Sequence, residues 1–194
     1  MSRSLVPGLV AEGETDEIFL GMLIFRQLRE LTWTSGRSAV DVEPAVIASC
    51  RSIREQERVA KALTDLASDC HVLFVHNDHR ERRKAEAVQN RLSLPVIGLI
   101  PVKETEAWLL ADRQVWSGFK GIDLRPLPVS AGDVERIPDP KRVLDQVVAQ
   151  QNRPVRDYFE HIGRNIDLDV LRQVPAYAAW VAETANVLKG LGYL

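Results

Sequence analysis

Cysteine is nearly absent: Cys50 and Cys70 are the only two in 194 residues. They give neither a paired metal spacing nor a disulfide framework, so reduced thiols inside a cell are expected. Long apolar runs are missing too. No stretch approaches the ~20 residues that span a bilayer. The mildly apolar Leu5–Ala11 is broken by Pro7 and too short for a signal-peptide core. These absences predict a cytoplasmic protein with no membrane contact. Charge of one sign is also lacking. A net charge of −2 removes any global nucleic-acid signature, so such a contact has to come from a local patch. What remains, 45% apolar and 27% charged, is ordinary for a soluble globular chain with a substantial core.

The apolar patterning predicts an α/β fold. Leu5 to Ala11 reads as a buried parallel strand that stops at Glu12-Gly13-Glu14-Thr15-Asp16, and a helix follows over roughly Glu14–Leu31. Val40, Val42, Val46 and Ile47 suggest a shorter strand interrupted by Pro44. Ser52–Ala67 has a helical stripe of Ile53, Ala60, Leu63, Leu66 and Ala67. Its other face carries Arg51, Arg54, Arg58 and Lys61, a pattern that is usually just solvated. His71–Val75 is the clearest strand and runs into His76-Asn77-Asp78-His79-Arg80. Leu94–Ile100 is another, its Pro95 implying an edge or an entry point, and Lys103-Glu104-Thr105-Glu106 follows it. An apolar strand followed by acid and helix thus recurs three times, which argues for a parallel sheet with right-handed crossovers. After Asp112 a long irregular connection, Ser117–Pro138, leads to helices expected at Pro140–Gln151, Pro154–Ile162 and Pro175–Leu188, with Tyr177, Val181 and Leu188 inward. Residues 1–112 form the α/β core and 113–194 a loop and helical extension, packed as one unit.

Ligands of open α/β sheets bind at the carboxyl ends of the strands. Three strand tips deliver Glu12 with Asp16, then Asp78, then Glu104 with Glu106. Carboxylates crowded on one edge repel one another unless cations neutralise them, and hard oxygen ligands suit Mg²⁺ or Mn²⁺. Two such ions ~3.5–4 Å apart make the clamp used in phosphodiester hydrolysis. Arg80, Arg82, Arg83 and Lys84 begin beside this edge, where they would guide a phosphate backbone. Lys103 is a candidate for stabilising transition-state charge, and Glu12 and Asp78 are candidates for direct catalytic roles. Plainer readings stand beside these. Acids in a first helical turn also suit the helix dipole. Glu104 and Glu106, two apart, would face different ways on a helix, which favours Glu104 as the single ligand. His76, Asp78 and His79 would suit a transition metal, but histidines at strand ends are more often hydrogen-bonded structural groups. Trp108 reads as core, and Cys70-His71 as a nucleophile pair lacks an orienting partner.

Glu12-Gly13-Glu14-Thr15-Asp16 resembles the first motif of the Toprim domain, and Phe74 to Arg80 its Asp-x-Asp strand tip. Glu104-Thr105-Glu106-Ala107-Trp108-Leu109-Leu110-Ala111-Asp112 and Pro138-Asp139-Pro140-Lys141 are similar to a Toprim-like bacterial family of unknown function. So are Gln173-Val174-Pro175-Ala176-Tyr177 and Leu191-Gly192-Tyr193-Leu194, so the resemblance spans nearly the whole chain. It implies a small parallel sheet between helices with a helical C-terminal extension, and Mg²⁺-dependent action on phosphodiesters of DNA or RNA. Toprim proteins include topoisomerases, primases, small ribonucleases and nucleases of the overcoming-lysogenization-defect type. On that resemblance Glu12 is a metal ligand or general acid/base, and Asp16 and Glu104 hold a second metal. A separately encoded ATPase partner in phage defence is implied by the group alone. The second aspartate of Asp-x-Asp is replaced by Arg80, which removes a carboxylate and repels metal unless it turns toward substrate; Glu81 or His79 would then substitute. The alternative is a catalytically reduced module that regulates or binds a partner, and a third reading is a phosphatase of small phosphoesters.

Overall fold

The computed structural model describes residues 2–35, 40–50, 56–76 and 92–194. Asp78, His79, Arg80, Glu81, Arg82, Arg83 and Lys84 lie outside the described residues, as do Arg51, Ile53 and Arg54. Among those described, the first apolar run forms two strands, β1 (Arg3–Leu5) and β2 (Pro7–Ala11), the second buried throughout. Val6 between them donates its N–H to His71 Nδ1 at 2.9 Å. That bond makes His71 an acceptor at Nδ1 and a structural group. Its neighbour Cys70 is buried, which pushes the thiol up from its ordinary value. Neither residue is arranged as a nucleophile pair.

Helix α1 (Glu14–Thr34) outlasts its expected end. Thr32 and Thr34 donate their hydroxyls back to Leu28 O and Glu30 O, adding to the last turn. Then come β3 (Val40–Val42), β4 (Val46–Ser49), α2 (Gln56–Ala67), β5 (Val72–His76) and β6 (Val96–Leu99). The main sheet is parallel with the order β4-β2-β5-β6, while β1 and β3 pair in a small parallel sheet of their own. The Glu43-Pro44-Ala45 break divides β3 from β4, and Pro95 enters an edge strand, as their sequences suggest.

Strand alternation sends Leu9, Ala11, Val72, Phe74, Ile97 and Leu99 into one core, and Val10, Leu73, Val75 and Val96 into a second with Val59, Leu63 and Leu66 of α2. Both faces are covered, so the strands read as unbroken apolar runs rather than alternating ones. Gly8 leaves room for this packing: a Cβ there would lie 2.7 Å from Leu73 Cδ2 and 2.9 Å from Cys70 Sγ.

The C-terminal part contributes α3 (Glu106–Leu109), α4 (Arg113–Ser117), a 3-10 helix (Ala131–Arg136), α5 (Pro140–Val148), α6 (Val155–Asn165), α7 (Leu168–Leu171) and α8 (Pro175–Gly190). Helix α5 stops at Val148 rather than Gln151. On α8, Trp180 and Thr184 take the inward positions with Tyr177 and Leu188, and Val181 is only half-buried. This part closes over α1. Phe159 meets Phe19 edge-on at 6.3 Å, and Tyr177 meets Trp108 edge-on at 5.1 Å. Arg26 donates to Gly163 O and Ile166 O at 2.9 and 2.6 Å, satisfying carbonyls at the end of α6. Trp108 is fully buried and belongs to this core. The chain is therefore an α/β protein, with small parallel sheets flanked by helices and a helical C-terminal segment. Among the described residues no helix is long and apolar enough to cross a membrane.

Candidate functional site

Strand β2 sits inside the main sheet, with the chain leaving it first toward β4 and then returning to β5 and β6. That reversal is the topological switch point, and the crevice lies beyond the carboxyl ends of β2 and β5. Glu12 follows β2 directly. It is exposed, and among the described residues it has no hydrogen bond or ion pair. Gly13 is the N-cap of α1 in ordinary extended backbone, φ −122°, so glycine is not required there by conformation. The space around it is shared with Asp16. A Cβ at Gly13 would lie 2.9 Å from Asp16 Oδ2, because the Asp16 side chain folds back over the cap. Glu14 is engaged elsewhere, in an ion pair with Arg156 of α6.

The second contribution comes from the turn after β6. Lys103 adopts φ +70°, a left-handed conformation that an L side chain rarely takes. Its ammonium donates to Ile137 O at 2.6 Å, bracing the turn against the segment that enters α5. The left-handed residue reverses the chain, so Glu104 lies on a turn and the helix begins only at Glu106. Glu104 and Glu106 therefore do not diverge as two positions on one helix would. Both face Lys141: its Nζ is 3.3 Å from Glu104 Oε1 and 4.0 Å from Glu106 Oε1. Glu104 Oε2 is buried and accepts no hydrogen bond among the described residues.

His76, at the end of β5, holds this turn from the other side. Its Nε2 lies 3.0 Å from the hydroxyl of Thr105, the residue between the two glutamates, and both side chains are buried. The bond ties the β5 tip, which leads to Asp78, to the β6 tip. It gives His76 a positioning role at this edge.

Electrostatics link the two contributions. Burial pushes the Glu106 carboxyl up to about 7. Its own backbone N–H and Lys141 oppose that rise, while Asp16 and Glu104 add to it. Asp16, Glu104, Glu106 and Lys141 thus share one field at the carboxyl edge. Glu12 stands at the same edge facing solvent, and Lys103 faces the Ile137 carbonyl instead of the acids. Among the described residues no group of three or more His, Cys, Asp or Glu side chains is placed to hold a metal ion. The oxygen-only donors and the orphaned Glu104 Oε2 are, however, chemically suited to a hard divalent cation.

Lys141 was not among the residues expected here. One signal for it exists in the sequence. Asp139 caps α5, accepting from Arg142 N at 2.9 Å, with Pro140 at the first helical position and Lys141 at the second. A cation in a first helical turn opposes the helix dipole and needs a partner from outside the helix. Asp112 was read only as the end of the resembling run. It is buried, and it accepts from Gln114 N and Val115 N through one oxygen and from Asp167 N through the other. It joins the core to the C-terminal segment.

The fold and this edge define an α/β protein with an acidic, lysine-bridged rim at the open end of its parallel sheet. No protein-family model, curated protein or solved structure matches the chain.

Proposed function

We propose that this protein is a Mg²⁺-dependent Toprim-type nuclease of the cytoplasm, hydrolysing phosphodiester bonds of DNA or RNA. The observation that supports this reading is that Glu104 and Glu106, after β6, face one ammonium at the sheet's carboxyl edge, and that Glu104 Oε2 is buried with no partner among the described residues. Acids brought so close stay ionised together only beside a cation. Divalent ions bound there would polarise the phosphate and lower the pKa of an attacking water. The chain's own groups supply the rest. Glu12, Asp16, Asp78, Glu104 and Glu106 are the ligand candidates. Glu12, exposed at the strand tip, orients the water or takes its proton. His76 and Lys103 hold the turn that presents Glu104. Arg80, Arg82, Arg83 and Lys84 guide the nucleic-acid backbone. A separately encoded ATPase partner and a part in phage defence follow from the resemblance.

A second reading is a catalytically reduced module that regulates or binds a partner. It is favoured by Lys141, which neutralises the glutamates without a metal, and by Arg80 in place of an aspartate. Incubation of the wild type and Glu12→Gln with Mn²⁺ and plasmid, single-stranded DNA or RNA separates the two. Cleavage by the wild type, lost in Glu12→Gln, supports the nuclease. No cleavage together with no Mn²⁺-dependent thermal shift supports the regulatory module. Hydrolysis of small phosphoesters alone would instead indicate a phosphatase.

A further inference from the structure

We propose that Lys141 is a tethered counter-cation, which holds the Glu104–Glu106 pair in the metal-free protein and which a divalent ion must displace to bind there. The inference rests on the reading of this edge as a metal site and adds how the site is regulated.

Three observations carry it. The ammonium lies 3.3 Å from one glutamate and 4.0 Å from the other, between the oxygens that an entering ion would use. Mg²⁺ ligated at ~2.0–2.1 Å by those oxygens would share that space with a like charge, so the two cations compete. Second, the root of Lys141 is fixed and its side chain lies at the surface. Asp139 caps the helix, Pro140 sets its first residue, and Lys103 braces the preceding Ile137 carbonyl. The Lys141 side chain itself is 62% exposed, so it swings out without opening the core. Third, the pair is incompletely served by this cation. Glu104 Oε2 is buried and accepts nothing among the described residues, so an acceptor oxygen stays available to an ion of higher charge. A lysine also sits against the dipole at this end of α5, so the helix itself does not favour its charge there.

Occupation by Lys141 keeps the carboxylates together and folded without metal. It also sets a threshold: divalent ions bind only at concentrations that outcompete a cation already in place. Displaced, the ammonium remains attached at the rim.

The test compares the full-length wild type with Lys141→Gln and Lys141→Arg. Mn²⁺ binding is followed by calorimetry and by the Mn²⁺ spin-resonance signal, and melting temperature is measured in chelator and in Mn²⁺. Lys141→Gln is expected to bind Mn²⁺ about tenfold more tightly than the wild type, a coupling of ordinary size between competing ligands. It should melt lower in chelator and gain more on adding Mn²⁺. Lys141→Arg keeps the charge and should stay near the wild-type affinity. An unchanged or weakened affinity in Lys141→Gln would overturn the proposal. If the wild type binds Mn²⁺ and cleaves but Lys141→Gln binds no more tightly, only the role of Lys141 falls. If no protein of the three binds Mn²⁺, the metal site and the displacement both fall.

Discussion

Glu106→Gln, made in the metal-free protein, is expected to flatten the dependence of stability on pH. In the folded chain burial, with Asp16 and Glu104 beside it, holds the Glu106 carboxyl at about 7, against an ordinary value of 4.5. The folded state therefore binds this proton more tightly than the unfolded chain does. The stability it contributes is fully present below about 4.5 and is lost as pH rises through about 7. The gap corresponds to about 3.5 kcal/mol at most, at ~1.4 kcal/mol for each pH unit. With Glu106 only 9% exposed, solvent screening takes little from that figure. Glutamine keeps the shape and cannot ionise. The variant should nearly match the wild type at pH 4 and exceed it by about 3 kcal/mol at pH 8. Urea unfolding in chelator, followed by circular dichroism at the two pH values, measures the difference. Parallel pH profiles for the two proteins, or a glutamine variant that is the weaker at pH 8, would refute the claim that Glu106 is a buried acid held against its neighbours.

Lys103 tests the turn that presents Glu104. Because its backbone is left-handed, Lys103→Gly should be about 1 kcal/mol more stable than Lys103→Ala, since both lose the bond to Ile137 O and only alanine keeps the steric penalty. Equal stabilities in thermal melts would remove the strain. Glu12→Gln, at an exposed position with no partner among the described residues, should leave the melting temperature in chelator unchanged while abolishing cleavage. A large drop in melting temperature would make Glu12 a structural residue.

Much of the fold was legible because its signals are local. Apolar runs ended where strands end, Pro44 and Pro95 marked a break and an edge, and Asp139-Pro140 marked a helix start. The candidate site was legible only in part, because its decisive contacts are long-range. Nothing near Glu104 announces Lys141, which arrives from a helix after a long connection. No sequence rule predicts a left-handed lysine, yet Lys103 in that conformation is why Glu104 and Glu106 face one cation instead of parting. The closeness of the Asp16 carboxylate to Gly13 shows only once the helix has formed. The pairing of His76 with Thr105 likewise joins two strand tips that are adjacent only once β5 and β6 are paired. Asp112 sits at the end of a run that resembles a family motif, but its carboxylate is fully used in holding backbone N–H groups.

Diffraction from crystals soaked in Mn²⁺, with anomalous differences to locate the metal, bears most directly on the acidic edge. An ion ligated at the carboxyl ends of β2 and β6, by oxygens drawn from Glu12, Asp16, Glu104 and Glu106 and with the Lys141 ammonium moved away, is the predicted result. No ion at that edge in saturating Mn²⁺, with Lys141 still against both glutamates, would contradict it.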